Sequence, residues 1–102
     1  MKCIGRVCIY IYSLEIMVRI YDSFSLKDKR KTVKSILDYA RFNLNVSAAE
    51  VGDQDMINLA GLAFVVVTSD NSLGKSILAK IIRKIETNYQ VEIIEEYMER
   101  LV

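Results

Sequence analysis

The sequence predicts an α+β domain: an antiparallel sheet with two helices packed on one of its faces. Two observations carry that prediction. Apolar periodicity switches along the chain in the order strand, helix, strand, strand, helix, strand. The chain has 102 residues, no proline and four glycines (Gly5, Gly52, Gly61, Gly74) with 52% hydrophobic content, which excludes a low-complexity linker. That length is one domain, and a domain of this size buries roughly 60–70% of its unfolded surface, enough for one core without staples.

Residues 7–20 read as the first strand. From Ser13 they alternate, with Leu14, Ile16, Val18 and Ile20 on one side and Ser13, Glu15, Met17 and Arg19 on the other. Tyr21 to Phe24 is a loop. Ser25 fits an N-cap, with Asp28 three residues on as a short capping box. The helix it opens runs to about Phe42 and has the apolar stripe Leu26, Val33, Ile36, Leu37 and Ala40. Asn45 to Val51 is a short strand, and Gly52 to Asn58 a turn. Leu59 to Ser69 is a strand with apolar residues on both parities, which predicts a central, largely buried position. Asp70, Asn71 or Ser72 caps a second helix running to about Asn88, with the stripe Ile77, Leu78, Ile81, Ile82 and Ile85. Val91 to Leu101 is the last strand.

The order βαββαβ, with right-handed crossovers, is that of the ferredoxin-like sandwich: a sheet of order 4-1-3-2 with two helices on one face. One domain spans residues 1–102, and residues 1–11 form an N-terminal strand extension or follow from an upstream start codon. The topology places the start of the first helix and the turn over residues 52–58 at the same end. The basic run Lys27 to Lys34 and the acidic run Glu50 to Asp55 should therefore be neighbours.

Those two runs also carry a resemblance. Ser25-Leu26-Lys27-Asp28-Lys29-Arg30, followed by Asn45-Val46-Ser47-Ala48-Ala49-Glu50-Val51-Gly52-Asp53-Gln54-Asp55, resembles the signature of the YlxP-like family of small bacterial proteins. The resemblance covers about Leu14 to the C-terminus. It implies the ferredoxin-like fold. It also implies a role around ribosomal RNA or ribosome assembly, because genes of this family commonly sit beside those for transcription and translation factors. It carries no established activity.

Net charge is +1, so no global field draws the protein to nucleic acid or membrane, and any electrostatic partner meets a patch. Lys27, Lys31 and Lys34 lie opposite the apolar stripe of the first helix. They form a candidate phosphate-binding face, extended by Lys80, Arg83 and Lys84 on the second helix. The plainer alternative is a solvated helix face. Lys29 falls at the edge of the apolar stripe, where it needs a partner or must snorkel. Glu50, Asp53 and Asp55 are expected to form a structural ion network with Lys29 and Arg30 rather than to hold a metal, since the calcium-loop spacing is absent.

Gly74-Lys75-Ser76 imitates the end of a phosphate-binding loop, but Ser69 stands where that pattern needs glycine. A first helical turn is the better reading. Tyr10 and the segment Gly61 to Val65 echo the strand motifs of RNA-recognition domains. Tyr10 shares parity with Leu14, however, which turns it toward the helices and into packing.

The chain has no histidine and no recognisable catalytic constellation, so no enzyme activity and no cofactor are expected. Cys3 and Cys8 have opposite parity on a continuous strand, where they could not bridge. This reads as a reduced, cytoplasmic protein. Arg6, Glu15 and Arg19 interrupt the apolar N-terminus, against a signal peptide or a spanning helix.

The basic helix face thus predicts a non-enzymatic RNA-binding module, and the family resemblance implies ribosomal RNA or ribosomal subunits as its partner. The alternatives are a homodimer formed through the sheet face or N-terminal strand, where Val7, Ile9, Ile11 and Met17 are apolar, and, behind it, a small-ligand site at the basic–acidic end.

Overall fold

The computed structural model describes residues 2–102; of the predicted extension over residues 1–11, residue 1 lies outside that range. The chain runs β1 (Lys2–Ile4), β2 (Val7–Ile20), α1 (Leu26–Leu44), β3 (Ser47–Gly52), β4 (Leu59–Thr68), α2 (Asn71–Asn88) and β5 (Val91–Arg100). β2 pairs with β4 from Tyr10 to Arg19 and with β5 from Tyr12 to Ile20. β3 adds to the far side of β4, and β1 folds back on the start of β2. The architecture is α+β, with two helices and a five-stranded antiparallel sheet. The expected order 4-1-3-2 described four strands. The path found is β1-β2-β4-β3, with β5 also on β2.

The even-numbered residues of β2 and β4 are the covered side. Tyr12, Leu14, Ile16, Val18, Ala60, Leu62, Phe64 and Val66 are buried, packed with Val33, Ile36, Leu37 and Ala40 of α1 and Leu78, Ile81 and Ile85 of α2. Of the odd-numbered residues of β4, Gly61 is buried, Leu59, Ala63 and Val65 are half-buried, and Val67 is 62% exposed. Both helices sit on one face, so a central strand keeps an open side whatever its hydrophobicity.

Both helix starts follow the predicted chemistry. Ser25 accepts a hydrogen bond from the Asp28 amide at 3.1 Å, while the Asp28 carboxylate accepts one from the Phe24 amide. Asp70 is the N-cap of α2 and accepts from the amides of Ser72 and Leu73. Helix α1 runs two residues past Phe42 because Asn45 takes the left-handed conformation (φ 54°) that closes the final turn.

The cysteine expectation is overturned. Gly5 and Arg6 form a two-residue turn, Ile4 pairs with Val7, and Cys3 faces Cys8 directly. The two sulfurs are joined, with their Cα atoms 3.9 Å apart. Opposite parity separates residues along one strand. A hairpin between them brings them together, and Gly5, at φ 58°, supplies the positive φ such a turn requires. The bridge removes the argument for a reducing compartment that rested on two separated thiols.

Candidate nucleic-acid interface

Helix α1 is oriented by one buried cation. Lys29 is only 1% exposed, though it lies in the most basic stretch of the chain. Its Nζ is 2.9 Å from Oε2 of Glu50 on β3 and donates a hydrogen bond of 2.5 Å to the backbone carbonyl of Asp53. Glu50 Oε2 is itself buried and accepts no well-directed hydrogen bond, so the nearby ammonium charge is what compensates it. The sequence-predicted meeting of the basic and acidic runs thus occurs, but it narrows to one ion pair. Asp53, at φ 57°, contributes its carbonyl rather than its carboxylate. Arg30 and Asp55 are exposed, and among the described residues neither they nor the Asp53 carboxylate form an ion pair. The expected five-residue network fails because the turn over residues 52–58 points its remaining carboxylates to water.

At about 100° per residue, positions two before and two after Lys29 lie about 200° from it. Burying Lys29 therefore sends Lys27 and Lys31 to the surface, and both are exposed. Lys34 is exposed as well, but its Nζ is 2.6 Å from Asp38, which also lies 3.8 Å from Arg41. Arg41 turns away to donate a 2.6 Å hydrogen bond to the Ala48 carbonyl of β3. On α2, Lys80 and Arg83 are exposed, and Lys84 is half-buried with its ammonium 4.9 Å from the centre of the Tyr39 ring.

The helices meet through that Lys84–Tyr39 contact and a 2.7 Å hydrogen bond between the hydroxyls of Ser35 and Tyr89. The six expected phosphate contacts are thus on one helical layer; among the described residues Lys27, Lys31, Lys80 and Arg83 form no ion pair, while Lys34 and Lys84 are already engaged. Tyr39, Asp38 and Ser35 were missed from sequence. Asp38 is visible as an i, i+4 partner of Lys34, whereas the other two act across helices.

The Gly74 motif has a packing explanation. A Cβ at Gly74 would sit 2.4 Å from the ring of Tyr12, which is buried beneath it and hydrogen-bonds through its hydroxyl to Asn71 in the first turn of α2. Tyr10 is half-buried and packs against the same core. A surface pocket of about 200 Å³, lined by Glu15, Ile16, Met17, Glu95, Glu96 and Tyr97, lies along the β2–β5 pairing rather than at the basic–acidic end. Among the described residues no group of three carboxylate or thiol ligands could hold a metal ion, and no helix is long and apolar enough to cross a membrane.

Two titrations mark the edges of these elements. Hydrogen bonds from the Ser72 hydroxyl and the Ser72 and Leu73 amides hold Asp70 below the usual carboxylate value. The hydrogen bond from Tyr21 to Glu92 raises the phenol.

Comparison with known proteins agrees with the resemblance read from the two charged runs. Residues 11–98 match the family described as "Protein of unknown function (DUF503)". The chain is 32% identical over 73 residues to the uncharacterized protein YlxP of Bacillus subtilis (strain 168), covering 72% of this chain and 79% of that one. Among solved structures, the de novo designed protein Foldit4 aligns with a TM-score of 0.53 at 17% identity, over 87% of this chain and 96% of that one. A dinuclear metal-binding peptidase of the M20 family from Bacillus subtilis aligns with a TM-score of 0.50 at 12% identity, over 97% of this chain and 27% of that one. Those two likenesses are of fold alone. The match across residues 11–98, together with the YlxP relative, establishes that this chain belongs to the DUF503, YlxP-like family.

Proposed function

We propose that this protein is a non-enzymatic, ferredoxin-like module that binds structured RNA on or near the ribosome through its helical layer. The four paired strands β5-β2-β4-β3 support the ferredoxin-like part of the reading, with β1 as an added arm. The observation that carries the functional part is charge segregation. The two helices hold ten of the 14 basic residues and three of the 13 acidic ones, in a chain whose net charge is +1. Among the described residues Lys27, Lys31, Lys80 and Arg83 form no ion pair, and they are spaced along two helices fixed on one sheet face, a geometry suited to a phosphate backbone.

The test is binding to ribosomal RNA as a function of salt. Each lysine that contacts a phosphate contributes about one unit to the slope of log affinity against log salt. Replacing both Lys31 and Lys80 by Glu is expected to lower that slope by about 2 and weaken binding uniformly across RNA sequences. Absence of binding to ribosomal RNA or subunits at low salt, or an unchanged slope in the double variant, refutes the reading.

A further inference from the structure

The open face of the sheet is the largest surface that RNA binding by the helices leaves unused. We infer that it is a self-association surface, joining two copies of this chain sheet to sheet about a two-fold axis parallel to the strands.

Three observations select a second copy and this symmetry. The first is extent. Four strands spaced about 4.8 Å apart, with about ten residues rising about 3.3 Å each, present roughly 600 Å² of face before the arm is added. That approaches the ~800 Å² per partner of a stable complex. The β3–β4 half of this face is uncharged. Ser47 and Ala49 of β3 lie opposite Val65 and Ala63 of β4, and Ser13 of β2 lies opposite Val65. Small side chains let a second sheet come to the usual packing distance.

The second observation is charge. The carboxylates on this face lie on edge strand β5 and its neighbour β2: Glu92 opposite and ion-paired with Arg19, Glu95 opposite Met17, Glu99 opposite Ser13, and Glu15 opposite Tyr97. An axis perpendicular to the strands would lay β5 on β5 and bring these carboxylates against their own copies. An axis parallel to the strands lays β5 over the uncharged edge strand β3. Like-charge opposition is disfavoured, so the charge pattern excludes the first arrangement and permits the second.

The third is the arm. β1 and the start of β2 project beyond the last β2–β4 pair, Tyr10 with Thr68, in a molecule 52 Å long and 22 by 21 Å across. The arm continues the same face with Ile4 opposite Val7, which are 77% and 64% exposed. A strand-parallel axis keeps both arms at one end, so Ile4 and Val7 of each copy cover those of the other. A perpendicular axis sends the arms to opposite ends and leaves them bare. Symmetric, self-complementary patches of this kind are what a closed dimer requires.

The experiment is sedimentation equilibrium of the full chain from low to high micromolar concentration. The native protein is expected to dimerise. Val67→Lys, at a site 62% exposed and outside the core, is expected to weaken the dimer at least ~100-fold, with an unchanged circular dichroism spectrum. Salt distinguishes the symmetries: the affinity of the native dimer is expected to change less than about two-fold from low to high sodium chloride, because the carboxylates face uncharged β3 rather than their own copies. A monomer at all concentrations overturns the inference. So does a dimer that is indifferent to Val67→Lys, or one that tightens strongly as salt is raised, as carboxylates facing their own copies would require.

Discussion

Helix α1 is fastened to the sheet by an ammonium group, and helix α2 by an aromatic ring. In the first case Lys29 reaches down to Glu50 and to the Asp53 carbonyl. In the second, Tyr12 rises from β2, lies under Gly74 and bonds to Asn71. Both devices hold a helix to the same sheet, but they have different consequences. An ion pair is directional and expensive to bury, so it fixes the rotation of α1 and thereby which lysines face water. A ring against a glycine is a matter of volume, and it fixes how close α2 lies. The basic layer owes its geometry to the first device and its compactness to the second.

The largest effect comes from breaking the ionic fastening. Lys29→Met leaves the buried Glu50 oxygen without its counter-charge and is expected to cost about 3 kcal/mol. In a domain of this size that lowers Tm by roughly 15 °C. Adding Glu50→Gln should restore part of the loss, because the uncompensated charge goes with it. Thermal unfolding of the single and double variants checks both statements. A loss under about 1 kcal/mol in the single variant would mean that apolar packing alone orients α1.

The steric fastening is expected to yield less. Gly74→Ala places a methyl group where the Tyr12 ring is, and overpacking of this kind costs about 2 kcal/mol. A smaller side chain at position 12, as in Tyr12→Val, makes room for the methyl but loses the ring's own burial. The double variant should therefore show coupling: Gly74→Ala costs clearly less in the Tyr12→Val background than alone. Denaturant unfolding of the four proteins gives that difference directly. Strict additivity would show that the ring and the glycine do not constrain one another.

How far these devices were legible in the sequence follows from their range. The local ones were: the Ser25 cap, the Asp70 cap among its three candidates, and the stripe of each helix all lie within one or two turns. Lys29 was recognisable as out of place by its helical angle. Its meeting with the acidic run followed from topology, since the two segments had to share an end. What could not be read was which atoms meet there, because that depends on the path of the turn after β3. For that reason Lys29 meets the Asp53 carbonyl beside Glu50, and the expected Asp53 and Asp55 carboxylate contacts do not form. The Cys3–Cys8 pairing was missed because reading residues 1–11 without a turn assigns parity along one strand, and Gly5 reverses the chain in the middle. Tyr12 under Gly74 spans 62 positions, and no periodicity reports such a contact.

The smallest expected effect compares the helices at their first turns. Asp70 is held below its ordinary carboxylate value by the Ser72 hydroxyl and two amides, so its ionised form is the one the fold favours. The sign follows: the contribution is fully present above the unfolded value near pH 4 and is lost as pH falls through the lower folded value. Asp70→Asn keeps an acceptor at the cap but removes the titration. The Tm difference between the native chain and this variant should therefore be constant above about pH 5 and shrink below about pH 4. Melting curves across that range decide the matter. A difference that stays constant to pH 2 would mean the cap acts only through its hydrogen-bond geometry, and that the charge of Asp70 adds nothing to the packing that holds α2.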